Sequence, residues 1–173
     1  QGDVSTLPQD RLDLDGGWHN YERPKTEVSR RCQLWPETVK ALKVAIEKRP
    51  TPKAADDAGL VFVTKYGARW VRIRERVDEN ERGMATRIDS VGLEFVKLLR
   101  ELKIKQPGIS FYSLRRTFRT IADGAGDQPA VTFIMGHADD DGDMGAVYRQ
   151  DIADERLKAV TDHVHAWLFG EAK

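Results

Sequence analysis

The 173 residues carry 28 Lys and Arg against 28 Asp and Glu, a formal net charge of zero. That length supports one domain with a core of its own; the single cysteine, Cys32, excludes a disulfide framework and suits a reducing cytoplasm, and no apolar run reaches the length of a membrane span. Neutrality argues against a nucleic-acid partner, whose phosphates draw Lys and Arg, but residues 64 to 76 sum to +4 and residues 138 to 156 to −5, so separate basic and acidic faces are expected.

Val4 and Leu7 suggest that the chain opens inside a helix, as a fragment of something longer would. Leu12, Leu14 and Trp18 flank the turn signal Asp15-Gly16-Gly17, and Trp18 to Glu22 reads as a strand. Pro24 to Ser29 then forms an exposed tip and Arg31 to Leu34 the returning strand. Lys25 sits in that tip, where a solvated lysine is the ordinary reading. Pro36-Glu37-Thr38 opens a helix with Val39, Leu42, Ala45 and Ile46 in one stripe, closed by Pro50 and Pro52. After a polar loop, Leu60 to Thr64 is a short apolar run expected to be a strand, and Tyr66-Gly67 a turn. Trp70, Val71 and Ile73 alternate with arginines, which fits a strand or the start of a helix. Val77 to Arg87 is charged and almost without apolar anchors, so an exposed, mobile segment is expected. Asp89 or Ser90 caps a helix with Val91, Phe95, Leu98, Leu99 and Leu102 inward, and Pro107-Gly108 breaks the chain.

The stretch that follows carries the chemistry. Leu114, Phe118, Ile121 and Ala122 recur at helical spacing, so a helix over about 112–122 buries one face. Arg115 lies beside that face, where a partly enclosed guanidinium needs a carboxylate or a phosphate. Arg116 and Arg119, three apart on another face, meet solvent or a polyanion. Gly124-Ala125-Gly126 stops the helix. Asp127 caps the next one, with Pro129 in its first turn and Val131, Ile134 and Met135 inward. Gly136 ends it and leaves His137 at a carbonyl-rich terminus, where a protonated imidazole would donate to a phosphate oxygen. Asp139 to Asp143 lack the spacing of a calcium loop and read as solvated, so no metal site is expected. Tyr148 follows, and Ala153 to Phe169 is a last amphipathic helix with Leu157, Val160, Val164, Trp167 and Leu168 on its apolar face. His163 and His165, two apart on that helix, point to different faces and do not make a metal pair.

A cationic helix, a histidine behind a glycine and a phenol further on are the parts needed to hold a phosphate and attack it. In that order they resemble the tyrosine recombinases and phage integrases. The family's His-x-x-Arg box is similar to Tyr112-Ser113-Leu114-Arg115, its Gly-His box to Gly136-His137, and its nucleophile to Tyr148; Arg115 and His137 stand 22 residues apart, close to the family pattern. The family's hairpin lysine resembles Lys25-Thr26, followed by Arg30-Arg31 and Leu34-Trp35-Pro36. The chain departs from the family in carrying Tyr112 where histidine is usual, and in a longer stretch between His137 and Tyr148.

The resemblance implies an α+β, mainly α catalytic domain spanning residues 1–173, with a small antiparallel β-sheet at one edge and an N-terminal DNA-clamping domain preceding it. A first catalytic arginine would then lie at or before Gln1. Tyr148 would be the nucleophile that forms a 3′-phosphotyrosyl link, Arg115 and His137 the donors to the phosphate, Tyr112 an auxiliary donor, and Lys25 the acid for the leaving 5′ oxygen. Arg116, Arg30, Arg31, Lys65 and Arg69 would contact DNA. The implied partners are double-stranded DNA and further recombinase subunits in a synaptic complex, in the cytoplasm with the nucleoid, with no membrane, metal or cofactor. Two other classes stay open on the residues themselves: a degenerate relative that binds DNA without cutting it, and a helical interaction module whose arginines are only surface charge.

Overall fold

The structure is a computed structural model that describes residues 1–22, 24, 28–77, 83–137 and 152–170, the side chains of 75–77 and 83–84 excepted. Lys25, Tyr148 and the aspartates Asp139 to Asp143 lie outside the described residues. In chain order the elements are α1 (Gly2–Ser5), β1 (Leu12–Asp13), β2 (Trp18–Asn20), β3 (Arg31–Gln33), α2 (Pro36–Glu47), β4 (Val71–Val77), β5 (Gly83–Asp89), α3 (Ser90–Glu101), α4 (Phe111–Ala122), α5 (Gln128–Met135) and α6 (Asp154–Phe169). Helices dominate and both sheets are antiparallel, so the fold is α+β and mainly α. The contacts divide into two compact units, residues 1–9 with 44–114 and residues 10–43 with 115–173.

In the first unit β4 and β5 form a seven-pair ribbon running from Val71 opposite Asp89 to Val77 opposite Gly83. The alternation of Val71 and Ile73 with arginines therefore resolves as a strand. Residues 83–87, expected to be exposed and mobile, are held in β5, because β4 supplies a ladder that their composition does not advertise, while Ala85, Thr86 and Arg87 are exposed as expected. Ser5 is buried and its Oγ accepts from the Val71 amide at 2.8 Å, so α1 packs a polar residue inward rather than Val4. Leu60 to Thr64 is not a strand. Leu60 makes one isolated antiparallel bridge to Pro8, while Thr64 closes a turn in which its amide donates to the Ala68 carbonyl. The run is apolar because Val61 and Val63 are buried, not because it pairs in a sheet. Asp89 caps α3, its Oδ1 accepting from the Gly92 amide at 2.9 Å. Only Leu99 of the expected α3 stripe is buried; Leu98 and Leu102 are exposed.

The second unit holds the larger core. Ala122 of α4, Ala130, Val131, Ile134 and Met135 of α5, Ile152, and Leu157, Val160 and Val164 of α6 form one buried cluster. Phe118, Ile121, Trp18, Cys32 and Trp35 pack around it. The sheet runs β1-β2-β3, with Leu12 opposite His19 and His19 opposite Cys32. Both predicted strands are shorter than the apolar patterns suggested. The β1–β2 turn closes where Asp13 Oδ1 accepts from the Gly16 amide at 2.8 Å and Gly17 takes a positive φ of 74°. Leu114, expected inward on α4, is exposed, as are Trp167 and Leu168 at the end of α6. Cys32 lies against the core, and burial pushes its thiol up to about 12.

Leu157 is fully buried, so Leu157→Ala should destabilise the protein by about 2–5 kcal/mol in urea denaturation. Leu102, mostly exposed, is the control: Leu102→Ala should stay within about 0.5 kcal/mol of wild type.

Candidate phosphate-binding site

The last carbonyls of a helix have no partner within it and carry the negative end of its dipole. At the end of α5 these groups are disposed of one by one. Gly136 turns left-handed at φ 59°, the Gly136 amide donates to the Phe133 carbonyl at 2.9 Å, and the His137 amide donates to the Thr132 carbonyl at 3.2 Å. The Met135 carbonyl is taken by a side chain: Nη2 of Arg115, on α4, donates to it at 2.9 Å. The same Nη2 lies 2.6 Å from Nε2 of His137. One helix terminus thus gathers the arginine and the histidine that the sequence places 22 residues apart.

A guanidinium is protonated at all ordinary pH and can only donate, so within this contact Nε2 of His137 is the acceptor. Arg115 and His137 are both half-buried, which strengthens a charge-assisted bond relative to one in open water. Tyr112 lies one turn before Arg115 on α4 and is exposed.

The other predicted residues sit as follows. Arg31 is fully engaged: Nε and Nη2 donate to Asp154 Oδ1 and Oδ2 at 2.7 and 2.8 Å, Nη1 donates to Asn20 Oδ1 at 2.7 Å, and the guanidinium carbon stacks 4.2 Å from the Trp18 ring centre. Arg69 is ion-paired with the buried Asp57. Arg30 donates from Nε to the Tyr21 carbonyl at 2.7 Å, and Lys65 lies over the Tyr66 ring at 5.0 Å. Arg116 is exposed on α4. Arg119, three residues further on, pairs with Asp123 at 2.9 Å.

Sequence reasoning missed the acidic partners. Asp127 was read as a cap, and its Oδ1 does accept from the Ala130 amide at 3.1 Å, but its carboxylate also receives a fork from Arg156 at 2.7 and 2.8 Å. Asp154, counted only as part of an acidic run, answers Arg31 across 123 positions. No local pattern signals such a pair. Among the described residues no group of three His, Cys, Asp or Glu is placed to hold a metal ion. A separate cavity of about 530 Å³, lined among others by Trp35, Val39, Lys40, Lys158 and His165, does not include Arg115 or His137.

Three solved structures share the fold. XerA recombinase matches at a TM-score of 0.59 and 18% identity, over 99% of this chain and 53% of that one. The Tn1549 transposon integrase in complex with a circular intermediate DNA matches at 0.57 and 16%, over 92% and 52%; the same integrase with transposon right end DNA gives 0.54 and 17%, over 95% and 54%. No family model matches the sequence, and no curated protein does. The chain therefore has the catalytic-domain fold of the tyrosine recombinases, and spans about half the length of these solved proteins.

The hydrogen bonds from Arg31, ahead of its charge, hold the Asp154 carboxyl below its usual value of 3.8. A depressed carboxyl stabilises the fold fully above the unfolded value and loses that contribution as pH falls through the lower folded one. Asp154→Asn should therefore lower the melting temperature at pH 5 to 7, and the gap to wild type should close as the pH is taken below about 3.8.

Proposed function

We propose that this chain is the catalytic part of a tyrosine-type, site-specific DNA recombinase that cuts and rejoins double-stranded DNA through a 3′-phosphotyrosyl intermediate. The observation that carries the reading is the contact between Arg115 and His137 at the end of α5, inside a recombinase fold. A phosphodiester oxygen entering there meets a fork of guanidinium donors and an imidazole beside it. Charge accumulates on the non-bridging oxygens in the transition state, and donors aimed at them supply most of the stabilisation.

In this scheme the Tyr148 phenol gives its proton to water as its oxygen bonds to phosphorus, while the bond to the 5′ oxygen breaks and Lys25 protonates that oxygen. A 5′ hydroxyl from a second strand then attacks the phosphotyrosyl bond, its proton returning to Lys25, and releases the phenolate, which water reprotonates. The phosphodiester is conserved, so neither an energy source nor a metal is needed for the exchange. Tyr112 adds a neutral donor one turn from Arg115. Arg116, Arg30 and Lys65 are the candidates for backbone contacts, whereas the guanidiniums of Arg31 and Arg69 are committed to Asp154 and Asp57. The DNA partner and other recombinase subunits belong to this proposal.

The second reading, a relative that binds DNA without cutting it, is favoured by one feature, Tyr112 in the place of the usual histidine. A pool of nicked duplexes of randomised sequence separates the two. The protein should form an adduct that resists denaturing electrophoresis and vanishes in Tyr148→Phe. Arg115→Ala should slow adduct formation by about 100- to 1,000-fold, the cost of removing one such donor. Salt-dependent binding with no adduct would leave the non-cutting relative standing.

A phosphate oxygen that accepts from Nε2 of His137 needs a proton on that nitrogen, which the other neutral tautomer or the imidazolium supplies.

A further inference from the structure

Among the described residues β4 and β5 pair with each other and with no further strand. The ribbon is held at its root: the Val71 amide donates to Ser5 Oγ at 2.8 Å, the Ser90 amide donates to the Trp70 carbonyl at 2.9 Å, and Asp89 caps α3. Past that root both faces lie in water. Ile73 is 69% exposed, and Arg74, Ala85, Thr86 and Arg87 are exposed as well. A two-stranded ribbon is marginal in water without an apolar face to bury, so burial does not explain why β4 alternates arginine with other residues.

Side chains two apart on a strand share a face and stand roughly 6.8 Å from one another. Arg72 and Arg74 therefore lie on one face of the ribbon, and the register sets Ile88 and Thr86 opposite them. Arg87 falls on the other face, opposite Ile73. Arg72 is half-buried and gives Nη1 to the Arg69 carbonyl at 2.9 Å, a bond that orients the guanidinium without neutralising it. Arg74 meets no carboxylate among the described residues, whereas Arg31, Arg69, Arg119 and Arg156 each have one. The positive charge of this face is thus uncompensated.

We propose that the face of the ribbon carrying Arg72, Arg74 and Thr86 is a contact surface for the phosphate backbone of duplex DNA, made by residues other than the Arg115–His137 pair. Duplex DNA carries one negative charge per about 1.7 Å of its axis, so two guanidiniums and a hydroxyl on one exposed face meet phosphate oxygens whichever bases lie beneath. The residues that join the strands include Asp78, Glu79 and Glu81 against Arg82. Phosphates repel that composition, so the paired stem bears the contact and the surface reads backbone charge rather than base sequence. The inference rests on the DNA-acting reading for its ligand.

Binding of the full chain to an intact duplex of randomised sequence, followed as salt is raised, tests this without any cleavage. The slope of log affinity against log salt should become shallower by about 0.9 in Arg74→Ala, the loss of one phosphate contact, and by roughly twice that when Arg72→Gln is added. Arg74→Lys should keep the wild-type slope. Arg87→Ala, on the opposite face, should also keep it, which separates a defined surface from a general loss of positive charge. Arg74 is exposed, so its replacement leaves the fold intact. An unchanged slope in Arg74→Ala overturns the proposal, and so does an equal change in Arg87→Ala. A change in self-association at constant slope would make the face a protein contact and overturns it too. Adducts on the nicked pool are scored separately. An adduct with no effect of Arg74→Ala on the slope removes this inference alone, a slope effect with no adduct from the wild-type protein removes the cutting reading alone, and no binding at all removes both.

Discussion

The donation of Arg115 to the Met135 carbonyl is the interaction on which the candidate site depends. It is a helix-capping bond made by a side chain from another helix, and it joins two requirements that are usually met separately. The end of α5 needs a donor for its last carbonyl, and the guanidinium needs an anionic environment to be partly enclosed. A cation at the negative end of a helix satisfies both. Because Gly136 turns left-handed at that point, His137 is carried round onto the same guanidinium nitrogen. The geometry of the pair is thus a by-product of ending a helix properly.

Electrostatics in this unit are local rather than global. The chain is neutral, but its charges do not cancel at random: Arg31 meets Asp154, Arg156 meets Asp127 and Arg119 meets Asp123, so much of the acidic excess around the start of α6 and the end of α4 is consumed in forks and pairs. The local sums in the sequence do not register which charges pair. What they could not show is that Asp154, counted as surface charge, is tied to a strand more than a hundred positions earlier.

The parts of the fold legible in the sequence were those governed by short-range rules. Asp127, Pro129 and Gly136 delimit α5 as capping chemistry requires, and α4, α2 and α6 begin and end within a residue or two of their periodic patterns. Periodicity finds a stripe but does not say how much of it is covered: Leu98, Leu102, Leu114, Trp167 and Leu168 belong to correct stripes and are nonetheless exposed. The apolar run at Leu60 to Thr64 and the polar one in β5 were misread for the same cause, since pairing depends on a distant partner and not on the segment's own composition. For the site, the arginine and histidine were legible as residue types in a spacing. Their direct contact, and with it the acceptor role of His137, was not, because it arises from the particular carbonyl that Arg115 caps.

The enclosure of Cys32 has a practical corollary. Burial that raises the thiol leaves less of it as thiolate at neutral pH, and the thiolate is the form that alkylates, oxidises and exchanges. The chain's single sulfhydryl is thus a slow partner for reagents aimed at sulfur, which favour cysteines placed by design.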